Sequence, residues 1–125
     1  MVTKLVLIAV FGAAGALARF GLGGLVSRLY GGSFPAGTFA VNFIGCFLFG
    51  FVWPLAEERL LISSELRTII LVGFMGSFTT FSTLIFESGE LMRDSEWTLA
   101  IVNIGGQILL GMIGLIAGMA VGRSL

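Results

Sequence analysis

Between Val72 and Leu84 the chain reads VGFMGSFTTFSTL. Gly73, Gly76, Ser77, Thr79, Thr80, Ser82 and Thr83 crowd a stretch whose surroundings are apolar. Glycine is a poor helix former, and Ser and Thr compete with the backbone for its hydrogen bonds. This composition predicts a helix that breaks or loosens. A break frees backbone carbonyls, which bind cations. The hydroxyls of Thr79, Thr80, Ser82 and Thr83 either bond back to the preceding turn or line a polar path. Asn42 carries two N–H donors and a carbonyl within another apolar stretch. It can donate to a dehydrated anion, or bond across a helix interface for about 1 kcal/mol, and residue type alone leans to the second. Phe81 and Leu84 share a face at i and i+3. A single Phe among twelve is ordinarily packing, yet its ring edge is electropositive and can face an anion. Glu87, at the polar end, reads by default as an interfacial charge.

Arg19 is the only charge well inside the apolar part of a span. It is either an electropositive vestibule that draws anions in or an anchor that snorkels to the interface, and the two readings stand level. No carboxylate lies near the centre of a span, which argues against a proton-coupled carrier. Asn103 and Gln107 share a helix face at i and i+4.

The elements that must position these groups are membrane helices. The 125 residues are 57% hydrophobic and 11% charged, with mean hydropathy +1.06. A soluble domain carries about 25% charged residues. Net charge is zero with no basic stretch, so no nucleic-acid partner is expected. Cys46 is the only cysteine and there is no histidine, so neither an internal disulfide nor a transition-metal site is expected. No Ser–His–Asp set or membrane-depth acid pair is present, so no enzyme and no organic cofactor are expected.

A crossing helix needs about 20 mostly apolar residues. Four candidates follow at approximately 5–26, 36–55, 67–86 and 97–121, in a single domain of residues 1–125. Gly31, Gly32 and Pro35 supply the first turn. Pro54 and the run Glu57, Glu58, Arg59 close the second span. Ser63 and Ser64 before Glu65 read as a helix cap. Gly114, Gly118 and Gly122 repeat every four residues and form a stripe for close helix contact. An even number of spans puts both termini on one side, with Lys4, Arg59, Arg67 and Arg123. Arg28 and Arg93 fall on the other, with Arg19 if it snorkels that way. So slight a bias hardly selects an orientation. Four short helices enclose a pore poorly, and an antiparallel, dual-topology homodimer answers both points.

Three blocks then carry a resemblance. GAAGALAR (Gly12–Arg19), GTFAVNFIGCFLFG (Gly37–Gly50) and GFMGSFTTFSTL (Gly73–Leu84) resemble the Fluc, or CrcB, fluoride channels. The resemblance implies an all-α integral membrane protein with four transmembrane helices, the third broken near its centre. It implies an antiparallel homodimer with two pores in a prokaryotic inner membrane. It implies passive, selective export of cytoplasmic fluoride, which protects the cell. Carbonyls of Gly76 and Thr79 from both subunits would hold a structural sodium ion. Asn42 would line the fluoride path, Phe81 would turn its ring edge to the ion, and Ser82, Thr83 and Glu87 would continue a polar track. Arg19 would sit at the vestibule, and Asn103 and Gln107 would add polar lining. Leu84 stands where the family commonly has a second Phe, and an aliphatic group has no aromatic quadrupole. A small multidrug-resistance-like exporter and a non-transporting membrane subunit are the alternatives. The first relies on a glutamate in the first span, which is absent here; the second leaves Asn42 and TTFST unexplained.

Overall fold

A computed structural model describes all 125 residues as helices joined by short turns, with no strand. Helix α1 spans Val2–Tyr30 and α2 spans Ala36–Glu57. The third crossing, Ser64–Arg93, is composite. It begins as α3 (Ser64–Thr68), widens over Ile69–Met75, and ends its first half as α4 (Gly76–Phe78). Its second half is α5 (Phe81–Arg93), and α6 (Trp97–Ser124) returns across. All four crossings are long and apolar enough to span a membrane. Only 6% of the most apolar window of α1 is buried within the chain. Large side chains such as Leu17, Phe20 and Leu29 lie exposed along it. A surface of that kind faces lipid or further protein rather than water.

Local chemistry sets the ends. Helix α1 runs past the expected residue 26 until Gly31 takes a left-handed conformation (φ 69°) and donates its N–H to the Ser27 carbonyl. Helix α2 continues through Pro54 and stops at the charged run. The Pro54 ring is buried against Gly122 of α6, where a side chain would not fit. Ser63 caps α3, its Oγ accepting from the Leu66 N–H at 3.2 Å.

Glycine determines how the crossings meet. Helix α2 packs most extensively against α6. A Cβ at Gly50 would strike the Leu115 carbonyl, and one at Gly118 the Phe47 carbonyl. Helix α1 packs against the Ile69–Met75 segment and α4. Gly15 lies flat on the Phe74 carbonyl there, and Gly73 approaches Ile8 and Phe11. Lipid tails are as apolar as leucine, so close backbone approach, not hydrophobic expulsion, holds such helices together.

A polar belt closes the end that carries both termini. Arg123 grips Glu58 with three hydrogen bonds, Nη2 to Oε1 at 2.8 Å and Nε to Oε2 at 2.9 Å and to Oε1 at 3.1 Å. Arg59 donates to the Arg123 carbonyl at 2.9 Å, Arg67 pairs with Glu57, and its guanidinium lies over Trp53. The Arg123 hydrogen bond holds the Glu58 carboxyl below the usual carboxylate range. A depressed carboxyl contributes stability that is present above its unfolded pKa and lost as pH falls through the folded one. Wild type should therefore melt slightly above Glu58→Gln at neutral pH, and the difference should vanish on acidification. Melting in detergent across an acid pH series measures it. The pair is solvent-exposed, so the effect is small.

Candidate functional site

The break falls at Thr79 and Thr80, the only residues of the third crossing with extended backbone (φ/ψ −83°/157° and −149°/114°). The Thr79 N–H still reaches the Met75 carbonyl at 3.1 Å, but the break deprives both backbone groups of Thr80 of their helical partners, at several kcal/mol for each group left unsatisfied. Asn42 of α2 meets that need at Thr80. Its Oδ1 accepts the Thr80 N–H at 2.8 Å, and its Nδ2 donates to the Thr80 carbonyl at 3.0 Å. One side-chain amide thus pairs both backbone groups of Thr80, as a neighbouring strand would. Thr80 Oγ1 caps α5 by accepting from the Thr83 N–H at 3.2 Å and donates to Thr83 Oγ1 at 2.9 Å. Thr79 Oγ1 bonds back to the Met75 carbonyl at 3.0 Å.

Gly45, one turn beyond Asn42, makes the close approach possible. A Cβ at Gly45 would strike the Thr79 methyl group. The structure adds Gly45 to the site, together with Thr38, whose Oγ1 donates to Glu87 Oε1 at 2.8 Å. Both lie in the GT-x-x-VN-x-x-G block, but their partners are 34 and 49 residues away, and nothing local in the sequence marks such a pairing.

Two clefts flank the break and share Thr80. The first, of about 350 Å³, lies between α1, α2 and α5 and is lined by Arg19, Thr38, Thr80, Thr83 and Glu87 among others. Arg19 forms no ion pair there. Glu87 Oε2 is enclosed without a partner. The second, of about 330 Å³, is lined by Asn42, Thr79, Phe81, Leu84 and Gln107 among others, and no ionisable acid or base reaches it except the Cys46 thiol. Phe81 is 73% exposed, whereas Leu84 is buried. Ser82 reaches neither cleft; its hydroxyl lies 3.4 Å from that of Thr80. Asn103 is enclosed in α6 and lines neither cleft, while Gln107 lines the second.

At Gly76 and Thr79 the break leaves oxygen donors. The Thr80 N–H, which would close a continuous helix onto the Gly76 carbonyl, goes to Asn42 instead. The Thr79 carbonyl accepts no hydrogen bond within the chain. Gly76 is exposed in the single chain. Unpartnered neutral carbonyls suit a hard monovalent cation, and no cluster of acids or thiols offers an alternative metal site.

The fold and site define a polytopic helical membrane protein whose broken third crossing is tied open by a neighbouring amide between two clefts, one carrying the charged groups and the other largely apolar. Residues 6–119 match the family described as "CrcB-like protein, Camphor Resistance (CrcB)". The chain is 54% identical over 120 residues to the "Fluoride-specific ion channel FluC" of Nitrosococcus oceani, covering 96% of each chain. It is 53% identical over 123 residues to the protein of that name from Solidesulfovibrio magneticus, covering 98% of each. Its identity to the one from Geobacter sulfurreducens is 44% over 123 residues, 98% of this chain and 99% of the other. The chain belongs to the CrcB family, and these relatives carry the name of a channel, not of an enzyme.

Proposed function

We propose that the protein is a passive fluoride channel of a prokaryotic inner membrane, working as an antiparallel homodimer with two pores. The observation that carries the reading is the meeting of the two clefts at Thr80, beside the Asn42 amide. Fluoride is small and tightly hydrated, so a selective path must replace its water with close donors. Asn amides and Thr hydroxyls are such donors, and an aromatic edge adds weak positive potential. A fixed positive charge at the narrows would hold the ion too firmly for rapid exit, and the second cleft has none. Arg19 stays in the first cleft, where it attracts anions without gripping them at the break. A cell interior negative by 100 mV drives an anion outward by about 2.3 kcal/mol, so no coupling carboxylate is needed.

The exposed α1 face and the Gly76 carbonyl support assembly with a second copy. Carbonyls of Gly76 and Thr79 from the two subunits would hold a structural sodium ion, whose charge would stabilise the freed oxygens of both breaks.

Reconstituted protein in liposomes, with valinomycin carrying compensating potassium, should release fluoride rapidly and chloride little. Phe81→Ile should slow fluoride release by about fivefold, because it removes an electropositive ring edge of a kind whose contacts are worth roughly 1 kcal/mol. The ring is largely exposed in the single chain, so its loss costs the fold little and the defect is one of transport. Absence of fluoride release from a folded dimer would overturn the channel reading.

A further inference from the structure

We infer that Gln107 and Asn103 are positioning residues that act on the pore through Asn42, an inference that rests on the channel function proposed above. A chain of hydrogen bonds runs in one direction from the break into the protein. Asn42 Nδ2 donates to Gln107 Oε1 at 2.6 Å, and Gln107 Nε2 donates to Asn103 Oδ1 at 2.8 Å. Asn103 Nδ2 donates to Ser88 Oγ at 3.0 Å, and Ser88 Oγ to the Leu84 carbonyl at 2.7 Å. The chain leaves α2, crosses α6 and ends on the backbone of α5. Bonds aligned in this way polarise and reinforce one another in a low-dielectric interior.

Two features assign the role. Asn103 is 0% exposed and lines neither cleft. It touches no ion there, so any influence on transport passes through Gln107 and Ser88. The second feature is the accounting at Asn42, whose amide has two N–H groups. One is held by the Thr80 carbonyl and the other by Gln107 Oε1, while Oδ1 holds the Thr80 N–H. Asn42 has no idle donor. An anion at the break must take the hydrogen that Gln107 holds, and Gln107 reclaims it when the ion leaves. The Gln107 oxygen therefore stands in for the anion between passages, so the emptied path leaves no buried N–H unsatisfied.

Asn103 and Ser88 decide which end of Gln107 faces Asn42. Asn103 offers Gln107 its oxygen because its own nitrogen is engaged by Ser88. Were the Gln107 amide reversed, its NH₂ would oppose that of Asn42, and the tie across the break would weaken.

Gln107→Met keeps side-chain length and removes both polar ends. Asn103→Leu and Ser88→Ala cut the chain at groups that line neither cleft. Each variant is reconstituted as the dimer, and fluoride and chloride efflux are read beside hydrogen exchange at the Thr80 amide. All three should lower fluoride efflux and its ratio to chloride, by about tenfold in Gln107→Met and less toward the far end of the chain. All three should also speed Thr80 exchange, and Ser88→Thr, which keeps the hydroxyl, should restore both. If Asn103→Leu does not assemble, Ser88→Ala decides. Slow efflux in Gln107→Met alone would make Gln107 a direct ion contact and overturn the inference, as would unchanged Thr80 exchange in all three. A wild type that releases no fluoride, with exchange accelerated as expected in the variants, would overturn the channel function and leave the positioning role standing.

Discussion

Asn42→Asp will silence fluoride efflux at neutral pH while the protein still assembles. The carboxylate can keep one bond, accepting the Thr80 N–H as Oδ1 does now. Its second oxygen would take the place of Nδ2, 3.0 Å from the Thr80 carbonyl and 2.6 Å from Gln107 Oε1. Two attractive contacts become two repulsions between oxygens, beside a path meant for an anion. Each buried group left unsatisfied costs about 1–3 kcal/mol, so the two together reduce transport by roughly a hundredfold or more. Protonation restores one donor, and efflux should recover in part as the pH is lowered. Efflux measured across a pH series, with dimer content checked by size-exclusion chromatography, tests the argument. Wild-type rates at neutral pH would show that the amide of Asn42 is not needed at the break.

The break was legible because its cause is local: Gly, Ser and Thr gather within a few turns of an apolar span. What holds it was not, because the bonds from Asn42 to Thr80 and Gln107 cross 38 and 65 residues. Residue type made Asn42 either a donor or an interhelical bond. The structure shows the interhelical bonds, and both Asn42 N–H groups are engaged in them. Thr38 carries no signal of its own for the same reason, since an ordinary Thr near a helix start acquires meaning only from Glu87 on another crossing. The widened turns of Ile69–Met75 overlap the stretch expected to loosen only from Val72 onward, and the residues Ile69–Leu71 before it carry no such signal. These turns pack on α1, where Gly15 and Gly73 bring the backbones together. The stripe at Gly114, Gly118 and Gly122 could be read from its spacing, because a four-residue repeat stays on one helix face. Its partner could not: Gly50, which completes the seam on α2, gives no sign of facing Leu115 until the helices are placed.

That seam carries the second large effect. Gly118→Ala should destabilise the folded protein, although alanine is the better helix former by about 1 kcal/mol. The added Cβ would strike the Phe47 carbonyl oxygen and lie 2.9 Å from the Phe51 nitrogen. Both belong to the backbone of α2, so no rotamer change relieves the collision and the helices must separate. Overpacking of this kind costs about 1–3 kcal/mol, and more where the surroundings cannot yield. Separating the helices also loosens neighbouring contacts, since Gly50 and Gly122 rest on the same α2–α6 seam. Gly105 lies on the same helix, and a Cβ there meets nothing within 4 Å. Gly105→Ala should therefore match or exceed wild type, because only the helix-propensity gain remains. Unfolding of the two variants in detergent, followed side by side, separates backbone contact from propensity. Equal stability of Gly118→Ala and Gly105→Ala would mean that α2 and α6 are not held at the distance the glycines imply. The Asn42–Gln107 bond, which bridges those same two helices, would then need another explanation for its geometry.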